Sequence, residues 1–187
     1  MTSYIYEWDR TFSLEHIRQE YPVYGTTDYR HPAIELLQEN GSRISEFRYD
    51  SYEIIDGKPK LAGLPATYTE SEREAQTLRI FLKDALTGVK LALLYTIFDE
   101  YSAIARSAHI ENAGEKNLHV LNMMSLSLDL PDKDYEWMQL SGAWSRERYM
   151  KNRTLEQGIT AIDSVRGNSS HEHNPFLALK RHNTDEN

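Results

Sequence analysis

Alternating hydrophobic and polar positions run through most of the chain and predict β-strands. The strongest run covers residues 89–98, where Val89, Leu91, Leu93 and Tyr95 alternate with positions that are themselves partly apolar. A period of two places successive side chains on opposite faces of a sheet. This run therefore predicts a strand with both faces partly buried.

Similar runs predict further strands on either side of it. One begins at residues 78–82 and ends near Gly88, and another covers residues 102–111, with Arg106 among its apolar positions. Residues 118–130 share a third strand face, which Asn122 interrupts. Asn40-Gly41, which the segments 34–39 and 43–49 flank, is the strongest hairpin signal in the chain. Residues 56–59 predict the next turn.

One segment has helical character. Residues 13–20 predict a short helix that Ser13 caps and that ends before Pro22. The pattern as a whole predicts a single all-β domain over residues 1–187, built as a large antiparallel sandwich. The last apolar run, residues 176–179, needs a strand partner, so we expect the domain to be incomplete.

Composition and charge narrow the class of protein. The 187 residues are 40% hydrophobic and 27% charged, which is ordinary for a globular protein. The formal charge of -8, with acids and bases interleaved, argues against a nucleic-acid partner. No cysteine is present, so disulfides and thiolate sites are excluded. Neither a secretory signal nor an apolar run of roughly 20 residues occurs, which predicts a cytoplasmic protein with no membrane partner.

The stretch GNSSHEHNPF, residues 167–176, allows three interpretations: a metal site, a serine nucleophile beside its base, or a shaped loop. His171 and His173 would point to opposite faces of a strand, and no third ligand has a fixed spacing from them. The serines lack the G-x-S-x-G elbow of a nucleophile. We therefore favour the loop and leave metal binding as a minor alternative.

Carboxylates and aromatic residues meet between residues 131 and 144. Asp132 and Asp134 follow Pro131, and turn formation explains them without catalysis. Tyr135, Trp137 and Trp144 suit either a sugar-binding surface or core packing, and composition alone does not decide between them.

Four stretches together resemble bacterial α-galactosidases of glycoside hydrolase family 36. They occur in the family's order and cover essentially the whole chain: residues 9–33 (DRTFSLEHIRQEYPVYGTTDYRHPA), 57–68 (GKPKLAGLPATY), 127–148 (SLDLPDKDYEWMQLSGAWSRER) and 166–179 (RGNSSHEHNPFLAL). The resemblance implies the family's N-terminal β-supersandwich, of the galactose-mutarotase-like type, which precedes a (β/α)8 barrel. It also implies that GNSSHEHNPF is the family's SSH-x-x-NPF loop, with neither a metal nor a nucleophile.

The family's activity is expected to lie outside this chain. Family members hydrolyse terminal α-galactosides such as melibiose and raffinose with retention, without metal or cofactor, using two barrel aspartates. This chain looks truncated at both ends and lacks the barrel, so we expect it to be inactive alone. The resemblance implies that it shapes the sugar pocket and the interface of an oligomer, a tetramer in the family. A stand-alone galactoside-binding module and a structural interaction domain are the alternatives.

Three substrate-binding residues carry over from the family. They are Arg10 of the DRTFS motif, Tyr135 of DYxW and Trp144 of GAW, whereas an acidic residue upstream of DRTFS is missing here. Trp144 follows the small pair Gly142-Ala143, which lets a turn present its ring outward. We expect Trp137, in the middle of a strand, to pack the core instead.

Overall fold

The computed structural model describes residues 19–25, 30–63, 66–167 and 171–184, and nine strands lie within them. They are β1 (Ile34–Gln38), β2 (Phe47–Asp56), β3 (Ala75–Asp84), β4 (Val89–Phe98), β5 (Ile104–Asn112), β6 (Leu118–Met123), β7 (Glu136–Ala143), β8 (Arg146–Thr154) and β9 (His173–Lys180). All paired strands are antiparallel. The described residues contain one turn of 3-10 helix, Glu72–Glu74. The all-β antiparallel prediction is therefore confirmed.

The chain divides into two compact units, residues 1–128 and 129–187. The prediction that they make a single domain stays a prediction. In the first unit a four-stranded sheet has the order β2-β3-β4-β5. Its strand β4 is buried on both faces, with Leu91 and Leu93 on one side and Ala92 and Leu94 on the other. The strand predicted from the strongest alternation is thus the centre of the sheet.

Strands β1 and β6 form a two-stranded sheet that packs on the Leu91 face of this sheet. Ile34 and Leu36 of β1 are each 1% exposed, and Tyr21 and Val23 complete the cluster. Burying an aliphatic side chain of this size contributes about 1.5–3 kcal/mol. This cluster is therefore the main core of the first unit.

The predicted hairpin at Asn40-Gly41 is wrong, although its turn forms. The amide of Gly41 donates to the carbonyl of Gln38 at 2.9 Å, and Gly41 has a φ of 82°. Beyond the turn the strands separate, because β1 pairs with β6 and β2 pairs with β3. The dipeptide specifies the turn, whereas burial of the flanking apolar residues selects the strand partners.

Strands β6 and β5 can be compared with their predicted ranges. Strand β6 ends at Met123, so the predicted face up to Leu130 is too long, and Leu126 and Leu128 are exposed. Strand β5 lies within one or two residues of its predicted range and carries Arg106 on its inner face.

Arg106 is a buried cation at the edge of the first unit's core. Its side chain is 7% exposed, and its guanidinium carbon lies 3.3 Å from the centroid of the Tyr95 ring. Glu20 accepts a hydrogen bond from the Tyr95 hydroxyl at 2.5 Å and lies 3.6 Å from Arg106 Nη1. Burial lowers the pKa of Arg106, and the charges of Glu20 and Tyr21 partly offset this.

The second unit is a three-stranded sheet with the order β8-β7-β9. Every residue of β8 is exposed, so this strand lies at an open edge. The apolar run at residues 176–179 lies within β9, and β7 is its strand partner.

The remaining predictions about the amino-terminal segment lie largely outside the described residues. Residues 13–18 of the predicted helix are among them, whereas Gln19 and Glu20 are described and are not helical. Arg10 also lies outside the described residues. No helix in the described part of the chain is long and apolar enough to cross a membrane.

Candidate functional site

The hairpin between β7 and β8 presents Trp144 to solvent. Ala143 pairs with Arg146, so only Trp144 and Ser145 form the connection. Ser145 adopts a φ of 63°, and its amide donates to Glu147 Oε1 at 2.8 Å. The Trp144 side chain is 80% exposed at this tip. The prediction that its ring points outward is therefore confirmed.

A bulge beside the tip explains the small residue before it. Ser141 pairs with Tyr149 and Ala143 pairs with Arg146, so two residues of β8 oppose Gly142. A Cβ atom at Gly142 would lie 2.1 Å from the carbonyl oxygen of Arg146. Only glycine fits this approach, and the bulge fixes the direction in which the hairpin leaves the sheet.

Tyr135 lies immediately before β7, and Arg181 covers one face of its ring. The guanidinium carbon of Arg181 is 4.0 Å from the ring centroid. The same guanidinium binds both carboxylate oxygens of Asp132, at 2.7 and 3.0 Å, and the carbonyl of Asp134 at 2.7 Å. Hydrogen bonding to Arg181 lowers the pKa of Asp132. Tyr135 is thus held in one orientation by a cation that is itself anchored three times.

The charges next to this anchor are also paired. Lys180 Nζ lies 2.8 Å from Glu136 Oε2, and His182 Nδ1 lies 3.1 Å from Glu136 Oε1. Hydrogen bonds from Lys180 and then from His182 lower the pKa of Glu136. The amide of Asp134 donates to Asp132 Oδ1 at 2.9 Å, in agreement with the turn interpretation of these two carboxylates. The network joins the start of β7 to the end of β9.

Trp137 is buried, as predicted, with 8% of its surface exposed. Its indole Nε1 donates to Gln139 Oε1 at 2.8 Å, and Gln139 Nε2 donates to Ser141 Oγ at 2.7 Å. Arg153 lies over the indole, 5.1 Å from the ring centroid, and also donates to Gln139 Oε1. Trp137 is therefore a structural residue and does not form an aromatic platform with Tyr135 and Trp144.

Tyr135 and Trp144 lie at opposite ends of β7. They are nine residues apart, which corresponds to roughly 25 to 30 Å along an extended strand. One sugar ring cannot contact both side chains of the same chain.

GNSSHEHNPF forms a turn and the start of a strand. His171 and Glu172 lie in a turn, His173 begins β9, and residues 168–170 lie outside the described residues. In the described ranges no three histidine, cysteine or carboxylate side chains are grouped so that they could hold a metal ion. The loop interpretation holds for His171 and Glu172 but is wrong for residues 173–176, which belong to β9. The absence of a metal stays a prediction.

The sequence and the fold both match one known family. The profile of the glycosyl hydrolase family 36 N-terminal domain matches residues 2–187. The chain belongs to this family. Alpha-galactosidase AgaA of Geobacillus stearothermophilus is 51% identical over 95% of this chain, and Mel36A of Lactobacillus acidophilus is 40% identical over 95%. The matched part is 24% of each relative, so the chain spans about a quarter of their length.

Solved structures of family 36 enzymes have the same fold. The crystal structure of AgaA matches 95% of this chain with a TM-score of 0.90 and 50% identity. The matched part is 25% of the AgaA chain. The α-galactosidase of Lactobacillus brevis matches 98% of this chain with a TM-score of 0.89 and 40% identity, again over 25% of its length. Variants of AgaA have been solved in complex with stachyose and with raffinose.

Sequence reasoning missed several residues that this family 36 domain places around its predicted site. Arg181 anchors Tyr135 from 46 positions away, and no local pattern connects the two. Gln139 and Ser141 are buried polar residues in β7, and they alternate with Met138 and Leu140 in the sequence. Such alternation normally predicts that the polar side chains are exposed and the apolar ones buried, so the sequence would have predicted the wrong buried face.

Proposed function

We propose that this chain is the non-catalytic N-terminal domain of an α-galactosidase that hydrolyses terminal α-galactosides of the melibiose and raffinose type with retention. The match of residues 2–187 to the family 36 N-terminal domain carries this proposal. Retaining glycosidases need two carboxyl groups fixed on either side of the scissile bond. Asp132, Asp134 and Glu136 are engaged by Arg181, Lys180 and His182 instead, which supports a non-catalytic role.

In this proposal Trp144 forms part of the wall of a sugar pocket. A large indole that is 80% exposed loses favourable burial unless something covers it. Its two-residue connection, fixed by the bulge at Gly142, holds the ring on a rigid element. Aromatic rings with a polar edge suit the apolar C–H face of galactose. Arg10 and Tyr135 are proposed as further substrate-binding residues on the family resemblance.

The separation of Tyr135 and Trp144 suggests that the two ends of β7 serve different contacts. We propose that one end faces the barrel of the same polypeptide and the other faces a neighbouring subunit of the oligomer. An exposed apolar strip on the four-stranded sheet supports a covering partner, because Tyr52, Ile54, Ile97 and Ile104 share one face and are each more than half exposed.

A chimeric enzyme tests the role of Trp144. This chain would replace the matching segment of AgaA, and kcat/KM for raffinose would be measured for the chimera and its variants. Trp144→Ala should lower kcat/KM by about tenfold or more, since ring stacking on a ligand is worth roughly 1–3 kcal/mol by analogy with base stacking. The denaturation midpoint should hardly change, because the side chain is exposed.

Two matched substitutions complete this test. Tyr149→Ala removes an exposed aromatic ring from β8 and should leave kcat/KM unchanged. Trp137→Ala should lower stability by about 3–5 kcal/mol as a core truncation. An unaltered kcat/KM for Trp144→Ala, or equal losses for Trp144→Ala and Tyr149→Ala, would show that Trp144 does not line the pocket.

A further inference from the structure

An open hollow of about 550 Å³ lies on the sheet of the second unit, and the proposed function does not use it. We call it the β7–β9 hollow. Its walls come from all three strands of the sheet and from the turn before β9. The polar lining side chains that matter here are Gln139, Ser141, Lys151, Arg153, Glu172 and His173.

The NPF part of GNSSHEHNPF directly follows His173, which lines this hollow. Gln139 pairs with Leu177 and Ser141 pairs with His173, so residues 174–176 of β9 oppose a single residue of β7. Pro175 has no amide hydrogen to donate to a strand partner, which favours such an interruption of the ladder. The three residues therefore interrupt the pairing of β7 with β9 beside the hollow.

Two cations on one face of β8 border the hollow. Lys151 pairs with Gln139 and Arg153 pairs with Trp137. Both side chains therefore lie on the face of the sheet that carries the hydrogen-bonded residues of β7. Arg153 Nη2 donates to Gln139 Oε1 at 2.7 Å, and its guanidinium lies over Trp137. These contacts hold Arg153 in place, and its other N–H groups have no hydrogen-bond acceptor among the described residues.

The charge in the hollow is not balanced by its own lining. Within the described residues neither Lys151 nor Arg153 forms an ion pair with a carboxylate. Glu172 is the carboxylate of the lining, and Arg166 Nη2 lies 3.5 Å from its Oε1. Two positive charges thus face the hollow without a counterion from the described part of the chain.

The floor of the hollow adds further hydrogen-bonding capacity. Ser141 Oγ accepts a hydrogen bond from Gln139, so its own hydroxyl hydrogen can be donated to a ligand. His173 is the register partner of Ser141, and its Nδ1 is buried without a hydrogen-bond partner. A buried polar atom left unpaired is costly, and a bound ligand would satisfy it.

We propose that the β7–β9 hollow binds a small oxyanion, namely a phosphate or carboxylate group. Its oxygens accept hydrogen bonds from Arg153, Lys151 and Ser141, and one of them also accepts from the N–H of His173 Nδ1. Charge-assisted hydrogen bonds from arginine and lysine to such oxygens are among the strong ones. A neutral sugar would leave both cations uncompensated, so the charge favours an anion. This inference stands independently of the role proposed for Trp144.

Titration of the isotope-labelled 187-residue chain tests the proposal. Inorganic phosphate, acetate and the neutral sugar melibiose would be added separately, and the amide resonances of Ser141, Gly142 and His173 would be followed. Phosphate should shift these resonances saturably, acetate should compete for the same site with its own affinity, and melibiose should leave them unchanged. The ratio of the phosphate and acetate affinities shows which oxyanion the hollow prefers.

Substitutions of the two cations show whether they bind the anion. Lys151→Gln should weaken phosphate binding about three- to fivefold, as expected for an exposed ion pair. The exposed Lys133 of the same unit provides the matched control, and Lys133→Gln should change nothing. Arg153→Lys keeps the charge but loses the fork geometry, so it should weaken binding further, by roughly tenfold. Circular dichroism of each variant checks that the fold is retained.

Three results would overturn the proposal. One is an absence of saturable shifts at Ser141 and His173 in phosphate. The second is an equal loss of binding in Lys133→Gln and Lys151→Gln, which would indicate unspecific attraction. The third is a melibiose-induced shift of the same resonances, which would make the hollow a sugar site.

Discussion

Strands β4 and β7 are both central in their sheets, yet their buried faces differ in chemistry. Strand β4 buries aliphatic side chains on both faces, including Leu91 at 1% exposed. The buried face of β7 consists of Trp137, Gln139 and Ser141, which are linked by hydrogen bonds. The first unit therefore gains its stability mainly from apolar burial, and the second depends more on directional polar contacts.

This difference accounts for where the candidate sites lie. Apolar packing is non-directional and positions a sheet as a whole. A satisfied hydrogen-bond network fixes individual side chains, because each contact requires a particular geometry. In the second unit such contacts hold Tyr135 through Arg181 and hold Arg153 through Gln139. The exposed Trp144 and the β7–β9 hollow both lie in that unit.

The largest effect is expected from a truncation in β4. Leu91→Ala should lower the free energy of unfolding of the first unit by about 3–5 kcal/mol, because it leaves a cavity in a fully buried cluster. Denaturant midpoints would measure the change. Lys90→Ala, at the exposed neighbouring position, should change stability by less than about 0.5 kcal/mol.

The matched change in β7 is Gln139→Leu. It keeps similar bulk but removes the acceptor for Trp137 and Arg153, so it should cost about 1–3 kcal/mol in the second unit. If Gln139→Leu were neutral or stabilising, the hydrogen-bonded face would contribute nothing to stability, and the contrast between the two strands would fail.

A smaller effect is expected from acid. The pKa values of Asp132 and Glu136 are lowered in the folded chain, by hydrogen bonds from Arg181 and from Lys180 respectively. Their contribution to stability is therefore present above their unfolded pKa values and is lost as the pH falls below about 4 and through the folded values. Probes in the second unit should report this loss in denaturation measurements at decreasing pH.

The control for the acid effect removes the titrating group. Glu136→Gln should weaken the acid dependence of the second unit, because only Asp132 then contributes to it. Glu111→Gln, which removes an exposed ion pair with Lys90 in the first unit, should leave that dependence unchanged. Alkali should act on the other unit, since burial raises the pKa of Tyr21, and stability is lost as the pH rises above about 10. Identical pH profiles for the two units would contradict this assignment.

The strands of the first unit could largely be predicted from the sequence because burial there is apolar. The alternation in β4 and β5 carries the signal directly. Strand β8, RERYMKNRT, has no apolar alternation and is exposed throughout, so its pairing with β7 is what makes it a strand. Asn40-Gly41 shows a different limit of sequence-based prediction, because a local turn signal does not determine which strands pair.

The candidate site could be predicted in part. The small residues before Trp144 indicate an outward ring, and the mid-strand position of Trp137 indicates a buried one. The contacts of Tyr135 could not be predicted, because Arg181 reaches it only through the pairing of β7 with β9. The register shift beside the β7–β9 hollow likewise could not be predicted, because the composition of GNSSHEHNPF does not specify it.

Turnover of a chromogenic α-galactoside tests the central claim most directly. It would be measured for the purified 187-residue chain and for the chimera in which the chain replaces the matching segment of AgaA. No turnover is expected from the chain alone and retained turnover is expected from the chimera, because the proposed role is to support a catalytic domain and not to replace it. Turnover by the chain alone, or a correctly folded chimera without activity, would contradict it.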